Sequence, residues 1–262
     1  MPEERARIGI STHSTKLDHY ASIETPSRAT PKVTMPHSTT GHQSKSTGKL
    51  RSSSSKRTRL TPETRRSLIL DHAAEMVARD GVSALSMDSV GRKAGVSKAL
   101  VYNYFPNTTD LMRQLLQREW RRLRRLQIEA ARDADTLETL VRSVTQVYLK
   151  YIEERGMLIE RLQAEPSVST IHDPTEFSRE SAVDYLAEIL VDTFNLPPEI
   201  AKAATDVSFG LPAAAGRYLL QHKMSRQQLE DMTVTMILGS LDALKRHHIA
   251  NLKFRQRLPT TT

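Results

Sequence analysis

The sequence predicts an all-α protein, with a three-helix unit near the front and a larger helical domain over residues 108–250. Three observations predict it. Apolar residues recur at three- and four-residue spacing from Thr61 onward, no segment sustains the period-two alternation of a strand, and capping residues stand just before several apolar runs. At 262 residues the chain can bury a real core in one or two domains.

Residues 1–57 are the exception. They are rich in Ser, Thr, Lys, Arg, His and Pro, as in Ser52-Ser53-Ser54-Ser55 followed by Lys56-Arg57-Thr58-Arg59, and show no apolar period. Such a composition buries too little surface to offset its ordering entropy, so the segment is expected to be a disordered basic tail. Residues 1–60 hold eleven Lys and Arg against four Asp and Glu, a net +7 of the chain's +8, which leaves 27 against 26 for the remainder. Any basic footprint on the folded part must therefore be local.

The chain has no cysteine, which excludes disulfide scaffolds, thiolate catalysis and cysteine zinc sites, and fits a reducing compartment. No run of about eighteen apolar residues indicates a membrane span. The N-terminus has no apolar core of a secretory signal. A soluble, cytoplasmic protein is expected.

Each helix has a local reason. Thr61-Pro62-Glu63 supplies an N-cap, a proline at the first helical position and an acid in the first turn. Ile69, Ala73, Met76 and Val77 follow at helical spacing, and Asp80-Gly81 ends the run. Ser86 caps a second helix with Asp88 in its first turn and Met87, Val90 and Ala94 on its buried face. Gly95 gives the backbone freedom that a sharp helix-to-helix turn needs. Ser97 caps a third helix that ends at Phe105-Pro106.

That third helix is the most informative element. Lys98, Tyr102 and Asn103 can donate hydrogen bonds, whereas Val96, Val101 and Phe105 can only be buried. A helix anchored along one side and polar along the other is what reading a DNA groove requires. Residues 58–107 are therefore expected to form a helix-turn-helix DNA-binding domain. Asn107 then caps a long helix from Thr108 to Arg132, and further helices are expected at about 135–155, 157–165, 175–195, 198–221 and 226–247. Pro166, Pro174 and Pro197-Pro198 mark their boundaries, and residues 251–262 are left as a C-terminal tail.

Residues 62–112 resemble the DNA-binding domain of the TetR family of bacterial transcriptional regulators. The resemblance rests on Ala73…Met76-Val77…Gly81, Ser86-Met87-Asp88-Ser89-Val90, Ala94-Gly95-Val96-Ser97, Val101-Tyr102-Asn103-Tyr104-Phe105 and Leu111. It departs twice. Gly91 stands where the family usually has Ala, which is expected to loosen the second helix by up to about 1 kcal/mol. Thr108 stands where the family usually has a phosphate-touching Lys, although Asn107, Thr108 and Thr109 still offer polar groups at a helix N-terminus.

The resemblance and the helix phase place Lys98, Ala99, Leu100, Tyr102 and Asn103 on the DNA-facing side. Lys98 would meet a guanine edge or phosphate, Tyr102 a phosphate, and Asn103 either a phosphate or a base, with Ala99 and Leu100 against thymine methyl groups. Ser86 and Arg92 are candidate phosphate contacts, and Ser97 and Thr108 complete the set. Tyr104 is expected to pack inward. The basic tail is either an inert leader, with Met35 an alternative start inside it, or an arm along DNA phosphate or in a minor groove.

One unit of this size makes too few contacts for tight specific binding, so a homodimer on a palindromic double-stranded operator is expected. The last two long helices are its candidate interface. Val207, Leu211, Ala214, Ala215, Tyr218 and Leu219 lie on one, and Met232, Met236, Ile237, Leu241 and Leu244 on the other, with Gly239 and Ser240 allowing close approach. The alternative is an ordinary intramolecular core.

The family resemblance further implies that a small-molecule effector binds the C-terminal ligand-binding and dimerisation domain. Trp120, Tyr148, Tyr151, Leu158, Leu162, Phe177, Tyr185 and Phe209 are the candidate pocket residues, most of them equally suited to core packing, with Trp120 singled out because its long helix connects the two domains. Arg121, Arg122, Arg124 and Arg125 form either a solvated face or a site for an anionic ligand. His247-His248 diverge on a helix, and neither His222 nor His72 has a ligand at i+4, so no metal is expected. No cofactor is expected either, and there is no nucleophile motif, phosphate-binding glycine loop or acid–base pair to suggest an enzyme. A ligand-responsive repressor is the expected function; an activator, or an architectural DNA-binding protein without a ligand, is the alternative.

Overall fold

The computed structural model describes residues 61–169, 174–221 and 224–257, excluding the side chains of residues 169, 174–178 and 251–257. The basic tail and the last five residues lie outside that set. Among the described residues there are ten α-helices and no strand. They are α1 (Pro62–Asp80), α2 (Met87–Ala94), α3 (Lys98–Tyr104), α4 (Thr108–Arg132), α5 (Leu137–Gln163), the one-turn α6 (Pro166–Ser169), α7 (Pro174–Phe194), α8 (Pro198–Ser208), α9 (Gly210–Gln221) and α10 (Arg226–Arg257). None of the described helices is long and apolar enough to cross a membrane.

The caps of the first four helices are side chains read directly from the sequence. The Thr61 hydroxyl accepts from the Thr64 N–H at 3.2 Å, Ser86 from Ser89 at 3.1 Å, Ser97 from Leu100 at 3.2 Å and Asn107 from Asp110 at 2.8 Å. Thr136 and Thr139 cap α5 reciprocally, each accepting from the other's backbone N–H. Each bond satisfies one of the donors that a helix start leaves open.

Helix α5 is the hub. It packs along α4 over the largest shared surface, and against α9, α10 and α1 on its other sides. Gly156 lies within it, where two helices were expected to meet. A Cβ at that position would stand 2.8 Å from Leu220 Cδ1, so the glycine admits α9 rather than ending the helix. The expected 198–221 helix is instead divided. Pro212, third in α9, has no N–H to offer Ser208, and its ring excludes the carbonyl four residues back. Asn195, at φ 52°, closes α7 in the left-handed conformation that asparagine tolerates. The last helix continues ten residues beyond its expected end, since neither Gly nor Pro interrupts the chain before Pro259.

The largest core joins the front unit to the start of the larger domain. Ile69, Leu70, Val77, Val90, Val101 and Phe105 of the front unit share it with Leu111, Met112 and Leu115 of α4, Leu158 and Leu162 of α5, and Val168 of α6. The front three-helix unit therefore does not end its packing at residue 107. Two turns of α4 and the end of α5 complete it.

Candidate nucleic-acid interface

The turn between α2 and α3 is set by Gly95, at φ 66° and ψ 30°, whose N–H donates to the carbonyls of Arg92 and Gly91. The Val96 N–H also donates to Gly91 O, at 2.9 Å. An added Cβ at Gly91 would come within 3.1 Å of Val96 O and 3.3 Å of Val101 Cγ2. The glycine expected to loosen α2 thus also lets α3 approach it closely, and the two effects oppose.

On α3, Val101 and the following Phe105 are fully buried. The Arg66 guanidinium sits 5.6 Å from the Phe105 ring centroid and hydrogen-bonds Gln114 of α4. Tyr104 is half-buried on the same core, its ring 6.4 Å from that of Phe105. The outward side carries Lys98, Ala99, Tyr102 (46 % exposed) and Asn103, with Leu100 half-buried at its edge. Among the described residues no side chain engages Lys98, Tyr102 or Asn103.

The flanking candidates are more committed. Ser86 is exposed, but its hydroxyl already accepts from the Ser89 N–H and donates to Ser89 Oγ at 2.9 Å. Arg92 is exposed and ion-paired with Asp88 one turn earlier, at 3.3 Å. Ser97 is exposed and serves as the α3 cap. Thr108 is half-buried in the first turn of α4, beside the Asn107 cap.

The candidate effector residues fall into separate places. Trp120, Tyr148 and Tyr151 come together with Leu123, Ile152 and Ile159 between α4 and α5. Leu158 and Leu162 belong to the core shared with the DNA-binding unit. Tyr185 packs with Ala134, Leu140 and Ile189, and Phe209 lies under the Arg179 guanidinium at 5.7 Å. The Phe177 side chain lies outside the described residues. Among the α4 arginines, 121, 122 and 125 are exposed and Arg124 is half-buried.

Sequence reasoning missed the buried charge between α4 and α5. Glu119 is 1 % exposed. Its carboxylate accepts from Arg155 Nε at 2.9 Å and Nη2 at 3.1 Å, from the Tyr151 hydroxyl at 2.8 Å, and from Arg118 at 3.3 Å. Burial alone would raise its pKa; the hydrogen bonds from Arg155 and Tyr151, with the charges of Arg155 and Arg118, outweigh it and hold it below the ordinary value. Burial, reinforced by Glu119, pushes the Tyr151 hydroxyl up. The signal was present in the sequence. Glu119 falls on the stripe of Met112, Leu115 and Leu123, and an acid in an apolar stripe requires a buried partner.

Residues 69–115 match the family of bacterial regulatory proteins, tetR family. The N-terminal domain is thus of the TetR-family type. The match ends at Leu115, so it spans the helix-turn-helix and the two turns of α4 that share its core. The whole fold is similar to that of solved regulators. A tetR-family transcriptional regulator from Streptomyces coelicolor superposes with TM-score 0.58 at 21% identity, covering 72% of this chain and 85% of that one. A TetR-like transcriptional regulator from Rhodococcus sp. RHA1 gives 0.55 at 19% identity, covering 70% and 99%. The fatty acid degradation regulator FadR from Bacillus halodurans gives 0.54 at 16%, covering 69% and 96%. At these identities the likeness is one of fold. No curated protein matches the sequence. The matched domain is a helix-turn-helix DNA-binding domain of the kind found in bacterial transcriptional regulators.

Proposed function

We propose that the protein is a ligand-responsive repressor that binds a palindromic operator as a homodimer, with α3 in the major groove. The observation that carries this reading is the division of α3 into a fully buried side, Val101 and the adjoining Phe105, and a side where Lys98, Ala99, Tyr102 and Asn103 face outward. Lys98 and Asn103 suit base edges or phosphate, Tyr102 a phosphate, and Ala99 and Leu100 thymine methyls. Ser86, Arg92, Ser97 and Thr108 flank them. Arg92 must exchange Asp88 for phosphate, and Ser86 must give up its bond to Ser89 Oγ to donate.

The dimer reading is supported by the outer surface of the last helices. Val207, Tyr218, Met232 and Met236 are exposed there, while Ile237 and Leu241 of α10 face the protein's own core. The apolar surface of α10 thus has two sides, one of them uncovered. For the effector, the cluster of Trp120, Tyr148 and Tyr151 is the favoured place, because α4 leads from it to the DNA-binding unit.

Footprinting of the full chain, with and without a panel of hydrophobic small molecules, tests this reading. Protection of a short palindrome that one of the compounds releases is the expected result. Broad, even coverage would replace a regulator with an architectural protein.

A further inference from the structure

Helix α1 is held by α4 and α5 at two points. Arg118 of α4 donates to Asp71 at 2.7 Å and reaches the Ser67 and Leu70 carbonyls at 3.4 Å. Arg161 of α5 donates to the Val77 and Ala78 carbonyls, both at 2.7 Å. Those carbonyls lie in the last turn of α1, where the dipole is negative; Val77 O also accepts from the Gly81 N–H at 3.1 Å, and the arginine adds a cap from another helix.

The second hold of α5 is on α4. Arg155 and Tyr151 grip the buried Glu119, whose neighbour Arg118 is the hold of α4 on α1. Arg155 and Arg161 are six residues apart on one rigid helix, about 9 Å along its axis. Leu158 sits between them and Leu162 directly after the second, and both pack into the core of the front unit. If α5 slides or turns, both grips shift together: one would strand a buried carboxylate, and the other would take a guanidinium away from the negative end of α1.

We infer that Glu119 and Arg161 are positioning residues that fix the pose of the DNA-binding unit, so that α5 as well as α4 carries displacement to α3. This rests on the reading of α3 as the DNA reader. Coupling is reciprocal, so DNA bound on α3 must in turn act on the junction of α4 and α5. Trp120, the single tryptophan of the chain, stands beside Glu119 and packs in that junction. Its emission is a built-in reporter.

The test uses the full chain and a labelled duplex recovered from a random-sequence pool by selection on the protein. Duplex anisotropy reports binding and Trp120 emission reports the junction. In the wild type, emission should change with the same midpoint as anisotropy. Arg161→Met keeps the aliphatic stem and drops the charge. It should still bind the duplex, with the Trp120 response cut by about half or more. Glu119→Gln should do the same. Should either fail to fold, Arg161→Lys, which keeps the charge without the guanidinium fork, should show a smaller response than the wild type. A silent Trp120 in the saturated wild-type complex overturns the inference, and so does an undiminished response in a folded variant. A pool that yields no duplex overturns the reading of α3, and the inference falls with it.

Discussion

Among the described residues, two uncovered surfaces are opposite in kind. The outward side of α3 is short and ends in the hydrogen-bonding tips of Lys98, Tyr102 and Asn103, over the buried Val101 and Phe105. The outer side of α8 to α10 is long and apolar, with Val207 77 % exposed and Met232 and Met236 about half exposed, beside the exposed Gly239 and Ala243. The first offers donors without acceptors, which fixed acceptors on a rigid partner would satisfy. The second offers area, which only burial would satisfy. Exposure says that something is missing; the exposed atoms say what.

Breaking the support of the first surface should have the largest effect. Phe105→Ala removes a fully buried ring from beneath α3 and should cost about 3–5 kcal/mol in chemical denaturation. Breaking the second comes next. Met232→Glu with Met236→Glu should convert a dimer to a monomer in sedimentation velocity and weaken binding to a two-half-site duplex by about 100-fold or more, with helical content retained. An unchanged dimer would assign that surface no part in assembly.

Deletion of residues 1–55 asks whether α3 works alone. The described part of the chain is nearly neutral, so the deletion should weaken DNA binding and flatten its salt dependence. Equal affinity would remove the tail from the mechanism. Tyr102→Ala sharpens the role of one donor. It should weaken all duplexes about equally, by roughly tenfold, as expected for one lost hydrogen bond to a charged oxygen. The smallest effect near neutrality concerns Glu119. Its depressed pKa contributes stability that is present above the unfolded-state value, about 4.3, and is lost as pH falls through the lower folded value. Denaturation midpoints of the wild type should therefore drop more steeply below about pH 5 than those of Glu119→Gln.

The front unit was legible because its rules are local. Thr61, Ser86, Ser97 and Asn107 cap the helices they were expected to cap, and Gly95 adopts the positive φ that the turn requires. Those signals lie within four residues of what they control. The larger domain was legible as helices but not in its joints. Gly156 read as a break because its reason, Leu220, is 64 residues away in the chain. The pocket candidates scattered among three cores for the same cause: an aromatic side chain in a sequence does not say which helix it will meet. Glu119 lies between these cases. Its place in an apolar stripe was visible, whereas its partners Tyr151 and Arg155 were set only by the pairing of α4 with α5.

The central claim is that the outward side of α3 reads a two-fold symmetric DNA sequence. Selection from a random-sequence duplex pool, run in parallel with the wild type and Leu100→Ala, tests it most directly. The wild type should recover two inverted half-sites about one helical turn apart, and the variant should keep that symmetry while relaxing the preference at a thymine within each half-site. Recovery of no common sequence, or of an identical one from the variant, would contradict the account.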